Sequence, residues 1–396
     1  MIKWKIEQAI TFCDDVKDGT HDSPKHVSNG YKLLTSKHIT NGVIDTKTAK
    51  TISPIDYETI NKRSKVDVND ILFSMIGTIG SVCRIASEPN FAIKNMGLFK
   101  VSDEIRSKYL YYYLQSPTAK EYIASATSGS TQQYISLGSL RKFPIKYPSQ
   151  QSDMQRMVEI LDSLQKKITL NNRINDYLAE IAIALFNKQC PQTKQLNAVL
   201  SNIAEITMGQ SPVGSSYNEE GNGVVFYQGG AEFGSFFPRR RLFTTEPKRM
   251  AREGDTLMSV RAPVGDLNVA NEDCCIGRGL AAIHSEGSQS FVHYLMRAQA
   301  KQLNSFNNNG TVFGSINGKA LKELPVFLPS NDAIASLDSL LEPIDMLIRR
   351  NDDEIQALEQ LRDALLPKLM SGEINVSEVE VPTQLNNHLY DCLAQF

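Results

Sequence analysis

A helical seam that occurs twice, 180 residues apart, constrains this chain more than any other feature. Within MQRMVEILDSLQKKITLNNRINDYLAEIAIALF, steps of four and three from Met157 fall on Leu161, Leu164, Ile168, Asn171, Asn175, Leu178, Ala182 and Leu185. The positions 180 residues later are Leu337, Leu341, Ile344, Ile348, Asn351, Ile355, Leu358, Arg362 and Leu365. Seven of those nine are apolar, and asparagine recurs in register at Asn171 and Asn351. A seam held for about four heptads in both copies predicts two long helices that pair with each other. Each would be roughly 50 Å long at about 1.5 Å per residue. Antiparallel pairing would bring the helix midpoints together, placing Asn171 and Asn351 near the axis. A polar residue there costs stability and fixes register; the alternative place for Asn171 is a solvated edge. Pro343 removes a backbone donor and is expected to kink or restart the second helix. Pro367, with Ser371-Gly372 beyond it, is expected to mark its end.

The repetition extends past the helices. ILFSMIG (71–77) and SVCRIAS (81–87) flank the turn Thr78-Ile79-Gly80 and predict paired strands; residues 106–127 predict helix, and FPIKYP (143–148) a strand. Asp18-Gly19-Thr20 then corresponds to Met208-Gly209-Gln210, and the run from Asp70 to Gly80 to that from Asp255 to Gly265. Tyr113-Leu114, Gly129-Ser130, Pro144 and Pro148 recur as Tyr294-Leu295, Gly310-Thr311, Pro325 and Pro329. Glycines, prolines and seam positions keep one order, so the chain is a duplication: domain, helix, domain, helix. The expected divisions are a first globular domain over 1–148, a helix over 149–190, a second domain over 191–329, a helix over 330–372 and a tail over 373–396. The fold class is α+β, with two tandem pseudo-symmetric domains separated by two long antiparallel helices in a coiled coil.

Charge and motifs narrow the function classes. A formal charge of −2 leaves no global basic signature, so any positive potential must be local. The six cysteines have no C-x-x-C spacing, which favours reduced thiols in a cytosolic setting. The N-terminus lacks a signal-peptide core and no run of about 18 apolar residues exists, so a cytoplasmic protein without a membrane segment is expected. There is no phosphate-binding G-x-x-x-x-G-K-[ST] loop; Gly314 to Ala320 is a near miss without the magnesium-binding hydroxyl. No G-x-G-x-x-G follows a strand, no Asn-Pro-Pro-aromatic motif is present, and the histidines have no metal-ligand spacing. His38, His284 and His293 look like packing or surface residues. These observations favour a binding protein with no catalytic or metal site. A self-contained DNA-modifying enzyme with a cryptic site and a coiled-coil scaffold for proteins remain as alternatives.

With those motifs in hand, the chain resembles the specificity subunits of type I DNA restriction–modification systems. The likeness rests on DGTHDSP (18–24), YKLLTSKHITNGVID (31–45) and DILFSMIGTIGSV in the first half. In the second half it rests on MGQSPVGSSYN (208–218), VVFYQGGAEFG (224–234), GDTLMSVRAPVGDLNVA (254–270) and LRDALLPKLMSGEI (361–374). The resemblance implies a subunit that is not an enzyme, whose two target-recognition domains read the halves of an asymmetric, split sequence in double-stranded DNA. It implies a coiled-coil spacer, with Leu161, Leu164, Ile168, Asn171 and Leu178 facing Leu341, Ile344, Ile348, Asn351 and Leu358, that sets the unread gap. It also implies two methyltransferase subunits and restriction subunits as partners. S-adenosylmethionine, ATP and magnesium would belong to those partners, with no cofactor in this chain.

Residue chemistry suggests where DNA would be touched. Arg239, Arg240 and Arg241 form the densest basic cluster, suited to phosphate or to guanine, although a solvated strand end has the same look. Arg261 and Thr78 stand in equivalent glycine-punctuated turns that could approach a backbone or merely close a hairpin. Ser130, Thr131, Gln132 and Gln133 form a polar loop, with Asn309 and Thr311 in its counterpart; a bland loop is the other reading. Lys37, with Lys25, Lys32 and His38, is a weaker candidate for phosphate. The tyrosines 111–113 look like core and not a stacking surface.

Overall fold

In a computed structural model, residues 2–40, 42–129, 133–191, 195–307 and 314–376 are described. The chain forms two compact units: residues 1–167 with those from 358 onward, and residues 168–357. Unit 2 is thus one continuous segment, whereas unit 1 is assembled from two.

Unit 1 is built on a four-stranded antiparallel sheet, ordered Asp15–Asp18, Met96–Lys100, Ile71–Ser74, Val82–Arg84. Its inner strands are apolar on both faces, every residue of ILFS being buried, because the sheet is covered on both sides. Beside it Tyr31–Leu34 pairs antiparallel with Lys50–Ile52 and parallel with Phe91–Ile93. Trp4–Gln8 pairs with Pro144–Pro148, prolines at the ends of an edge strand where no ladder donor is needed. Helices Glu104–Tyr113 and Pro117–Ala126 start at Asp103 and Ser116, whose side chains accept from Arg106 N and Ala119 N.

Unit 2 repeats the plan. Its antiparallel sheet runs Glu205–Met208, Leu280–His284, Thr256–Ser259, Leu267–Val269, the same order and sense. Val224–Tyr227 again has an antiparallel neighbour, Leu242–Thr244, and a parallel one, Cys274–Ile276. Ala198–Val199 pairs with Pro325–Val326. The units differ between these landmarks. Unit 1 carries a helix, Pro54–Ser64, after Lys50–Ile52, where unit 2 has only the short strand Met250–Ala251 after Leu242–Thr244; the three arginines lie in the loop before Leu242.

The long helices span Gln151–Gln189 and Asn331–Ser371. None of the eighteen seam positions is exposed. In unit 1, Met157 and Leu161 share a core with Leu366 and Leu369. In unit 2, Ala182 and Phe186 share one with Leu337 and Leu341. The pairing is antiparallel in each: Gln165 accepts from Arg362 at 2.9 Å in unit 1, and Asn175 accepts from Asn351 at 2.8 Å in unit 2. Asn171 and Asn175 are both 1% exposed. Asn351 meets Asn175, not Asn171, whose amide donates to Glu354 at 2.8 Å. The second helix is not restarted at Pro343, and it continues past Pro367 to Ser371. Each proline removes one donor, but burial of Leu337 and Leu341 around the first and Leu366 and Leu369 around the second holds the helix through the lost bond. The stop is Gly372, at φ 84° and so close to the Trp4 indole that a Cβ would sit 2.9 Å from Nε1.

Candidate nucleic-acid interface

Both predicted turns are braced by one buried serine. In unit 1 the Ser74 hydroxyl donates to the Thr78 carbonyl and accepts from Ser81 N at 3.0 Å. In unit 2 the Ser259 hydroxyl donates to the Pro263 carbonyl at 2.7 Å and accepts from Asp266 N at 2.9 Å. A single buried hydroxyl serving as donor and acceptor fixes the turn from inside. Gly80 and Gly265 turn the chain back at φ 90° and 98°. Thr78 and Arg261 are exposed at the tips.

Each turn is joined by a loop, the one that follows helix Pro117–Ala126 in unit 1 and helix Ala300–Ser305 in unit 2. Ile135 N donates to Met75 O at 3.0 Å, and Gln133 is exposed next to Thr78's turn through the Ile76–Tyr134 bridge. Ile316 N donates to Val260 O and Ala262 N to Gly314 O, both at 3.0 Å. The Asn307 side chain accepts from Val264 N at 2.7 Å. Thr78 and Gln133 therefore share one surface, and Arg261 lies on its counterpart. Ser130, Thr131, Gln132, Asn309 and Thr311 lie outside the described residues.

The arginine run is exposed but largely compensated. Arg240 pairs with Glu272, and Arg241 with Glu232 at 3.0 Å, whose side chain is 3% exposed. Only Arg239 of the three has no ion pair among the described residues. Two of the three guanidinium groups thus pair with carboxylates of unit 2. Lys37 is exposed in the turn Ser36–His38 and carries no ion pair among the described residues. Lys25 is exposed. Lys32 is turned inward, donating to Ala49 O and Thr51 Oγ1 at 3.3 and 3.2 Å. His38 is 2% exposed and its Nδ1 accepts from Thr35 N at 2.8 Å, so it is a local brace with no face for phosphate. Tyr112 and Tyr113 are core, donating to Asp162 and to Pro144 O at 2.7 and 2.9 Å.

Among the described residues no group of histidines, cysteines or carboxylates could hold a metal, and no helix is long and apolar enough to cross a membrane. His293 is buried, and burial first, with Arg297 beside it, pushes its pKa down to about 3. Burial likewise raises the thiol of Cys83 to about 11 and that of Cys274 further, so neither is a ready nucleophile. One exposed arginine escaped the sequence reading. Arg278 stands between Gly277 and Gly279, and that Gly-Arg-Gly triplet was its visible signal.

Known proteins bear on this architecture. Residues 22–180 match the type I restriction modification DNA specificity domain. A type I restriction enzyme specificity subunit of Methanocaldococcus jannaschii, MjaX, is 30% identical over 94% of both chains. The MjaIX specificity subunit of the same organism is 23% identical over 78% of both. The crystal structure of a type I restriction–modification S subunit from M. genitalium superposes with a TM-score of 0.57 at 16% identity, covering 93% of this chain and 96% of that one. That last likeness concerns the fold.

Proposed function

Because this chain belongs to the family of type I restriction enzyme specificity subunits, we propose that it reads an asymmetric, two-part DNA sequence through its two units. The observation that carries this reading is the duplicated turn-and-loop surface, built on the same serine and glycine frame and carrying different side chains in each unit. Two unlike readers imply a non-palindromic target, in contrast to the symmetric sites of homodimers. Thr78, Gln133 and Lys37 are the described contacts proposed for unit 1; Arg239 and Arg261 are those for unit 2. Arg240 and Arg241 act there mainly through loop support. Catalysis belongs to partners: two methyltransferase subunits using S-adenosylmethionine, and restriction subunits using ATP and magnesium. The helices that continue from one unit into the other set the number of unread base pairs.

Methylome sequencing with and without the gene tests this directly. The expected result is loss of a single bipartite adenine-methylated motif. Methylation by the purified chain alone would instead favour a self-contained enzyme, and a complex without sequence preference would favour a protein scaffold. Exchanging residues 1–148 for those of a relative should change one half-site and leave the other as it was.

A further inference from the structure

Four strands of unit 2 end at one edge, and hydrogen bonds chain their ends together. Gln210 N donates to Ile276 O at 2.9 Å, Gly277 N to Tyr227 O at 2.8 Å, Gly279 N to Gln228 O at 3.2 Å, and Val260 N to Gly279 O at 2.9 Å. Arg278 N adds a bond to Ser211 Oγ at 3.3 Å. Glycines permit this closeness: a Cβ on Gly209 would lie 2.1 Å from Gly277 O, and one on Gly277 or Gly279 2.8 Å from Gln228 O. The edge is therefore a fixed backbone platform. Just beyond the four strand ends stand Gln210, Gln228, Arg261 and Arg278, all exposed. Among the described residues neither guanidinium has an ion pair or side-chain hydrogen bond, unlike Arg240 and Arg241.

Unit 1 builds the same platform. Thr20 N donates to Ile93 O at 3.1 Å and Lys94 N to Leu34 O at 2.8 Å, and a Cβ on Gly19 would lie 2.5 Å from Ile93 O. The positions matching Gln210, Gln228 and Arg261 there are Thr20, Thr35 and Ile76, none of them exposed. Unit 1 is one residue shorter where Arg278 stands, with Lys94 and Asn95 in place of Gly277 to Gly279. The frame is common and the chemistry it displays is not.

We propose that Arg261 and Arg278, flanked by Gln210 and Gln228, read purine edges in the major groove of the half-site bound by unit 2. Arginine forks onto guanine O6 and N7, and glutamine onto adenine N6 and N7. Unpaired guanidinium groups on a rigid base meet that requirement, because little side-chain support must be undone before binding. The compensated arginine run 240–241 is left to backbone support. This rests on the DNA-reading role proposed above and assigns the positions that carry it.

The test uses the complex assembled with its methyltransferase subunits and scores the modified motif for Arg278→Ala, Arg278→Lys, Arg261→Ala and Arg261→Lys. Lysine keeps the charge and loses the fork. Both substitutions at one site should relax the guanine requirement at one position of one half-site, cutting discrimination roughly 10- to 100-fold. The other half-site should be unchanged. Unaltered base preference in all four variants, or equal weakening on every sequence with no relaxed position, would overturn the proposal while the family reading stands. A wild-type complex with no bipartite motif would sink the DNA-reading role itself.

Discussion

His293 shows how a single side chain can tie a unit to pH. It is buried, its Nδ1 lies 3.3 Å from Thr256 Oγ1, and its pKa falls to about 3. The folded state thus excludes a proton that the unfolded chain accepts near pH 6.5. Stability from this residue is complete above about pH 6.5 and is lost as pH falls toward 3, by at most about 1.4 kcal/mol per pH unit. Asp345 and Asp338 oppose it, since burial raises both and they take up protons on folding at the acid end. His293→Gln should flatten the decline in thermal stability between pH 6 and 4. An unchanged slope would show that His293 is not its source. The arginine run teaches a related lesson about legibility. Its basic character was plain in the sequence, but the carboxylates that neutralise it stand 9 and 32 residues away. Only the folded loop brings them within reach. His38 was similarly ambiguous: an isolated histidine between Lys37 and Ile39 gives no local sign of burial.

Elements carry the duplication more faithfully than side chains do. Tyr112 donates to Asp162 on the first long helix, and Tyr294 donates to Asp345 on the second, both at 2.7 Å. In unit 1 Asp162 also holds Lys108 at 2.9 Å. Ser290, four residues before Tyr294 as Lys108 is before Tyr112, takes that lysine's place in unit 2. The contact thus matches Tyr294 with Tyr112, and not with Tyr113 as the sequence repeat did. A cavity of about 220 Å³ adjoins Ser290. Burial raises Asp345, with hydrogen bonds from Ser290 and Tyr294 and the charge of Arg297 only partly opposing it. Ser290→Lys should therefore stabilise unit 2 by about 1 kcal/mol, a charge-assisted bond less the cost of ordering the chain. Calorimetric unfolding measures it, and a lowered melting temperature would contradict a pairing of the new lysine with Asp345. In the seam, Asn175→Leu with Asn351→Leu should raise stability and loosen register, because the amide pair exchanges packing for specificity. Crosslinking between the helices would report the slippage. The seam, the hairpins and the helix stop at Gly372 were legible because periodicity and glycine chemistry are local. Continuity through Pro343 was not, since packing on both sides overrides a local helix-breaking preference.

For the whole molecule, the proposal that the paired helices set the unread gap has its own test. Adding one heptad to each helix, near Asn171 and Asn351, keeps the seam in phase and lengthens each by about 10 Å. The unread gap should grow by about three base pairs with both half-sites intact; altered half-sites would defeat the spacer role. The two-unit plan was readable as a repeat, but the way the chain is shared between units was not. Unit 2 is contiguous, while unit 1 draws Leu366, Leu369, Met370 and Val376 into the core formed by its first 167 residues. Chains usually fold from the N-terminus as the ribosome delivers them. Here that order is expected to invert: the later unit is contiguous and complete once Ala357 has emerged, whereas the earlier one lacks Leu366, Leu369, Met370 and Val376 until they are translated. Pulsed proteolysis of stalled chains should find unit 1 the more readily cleaved until then.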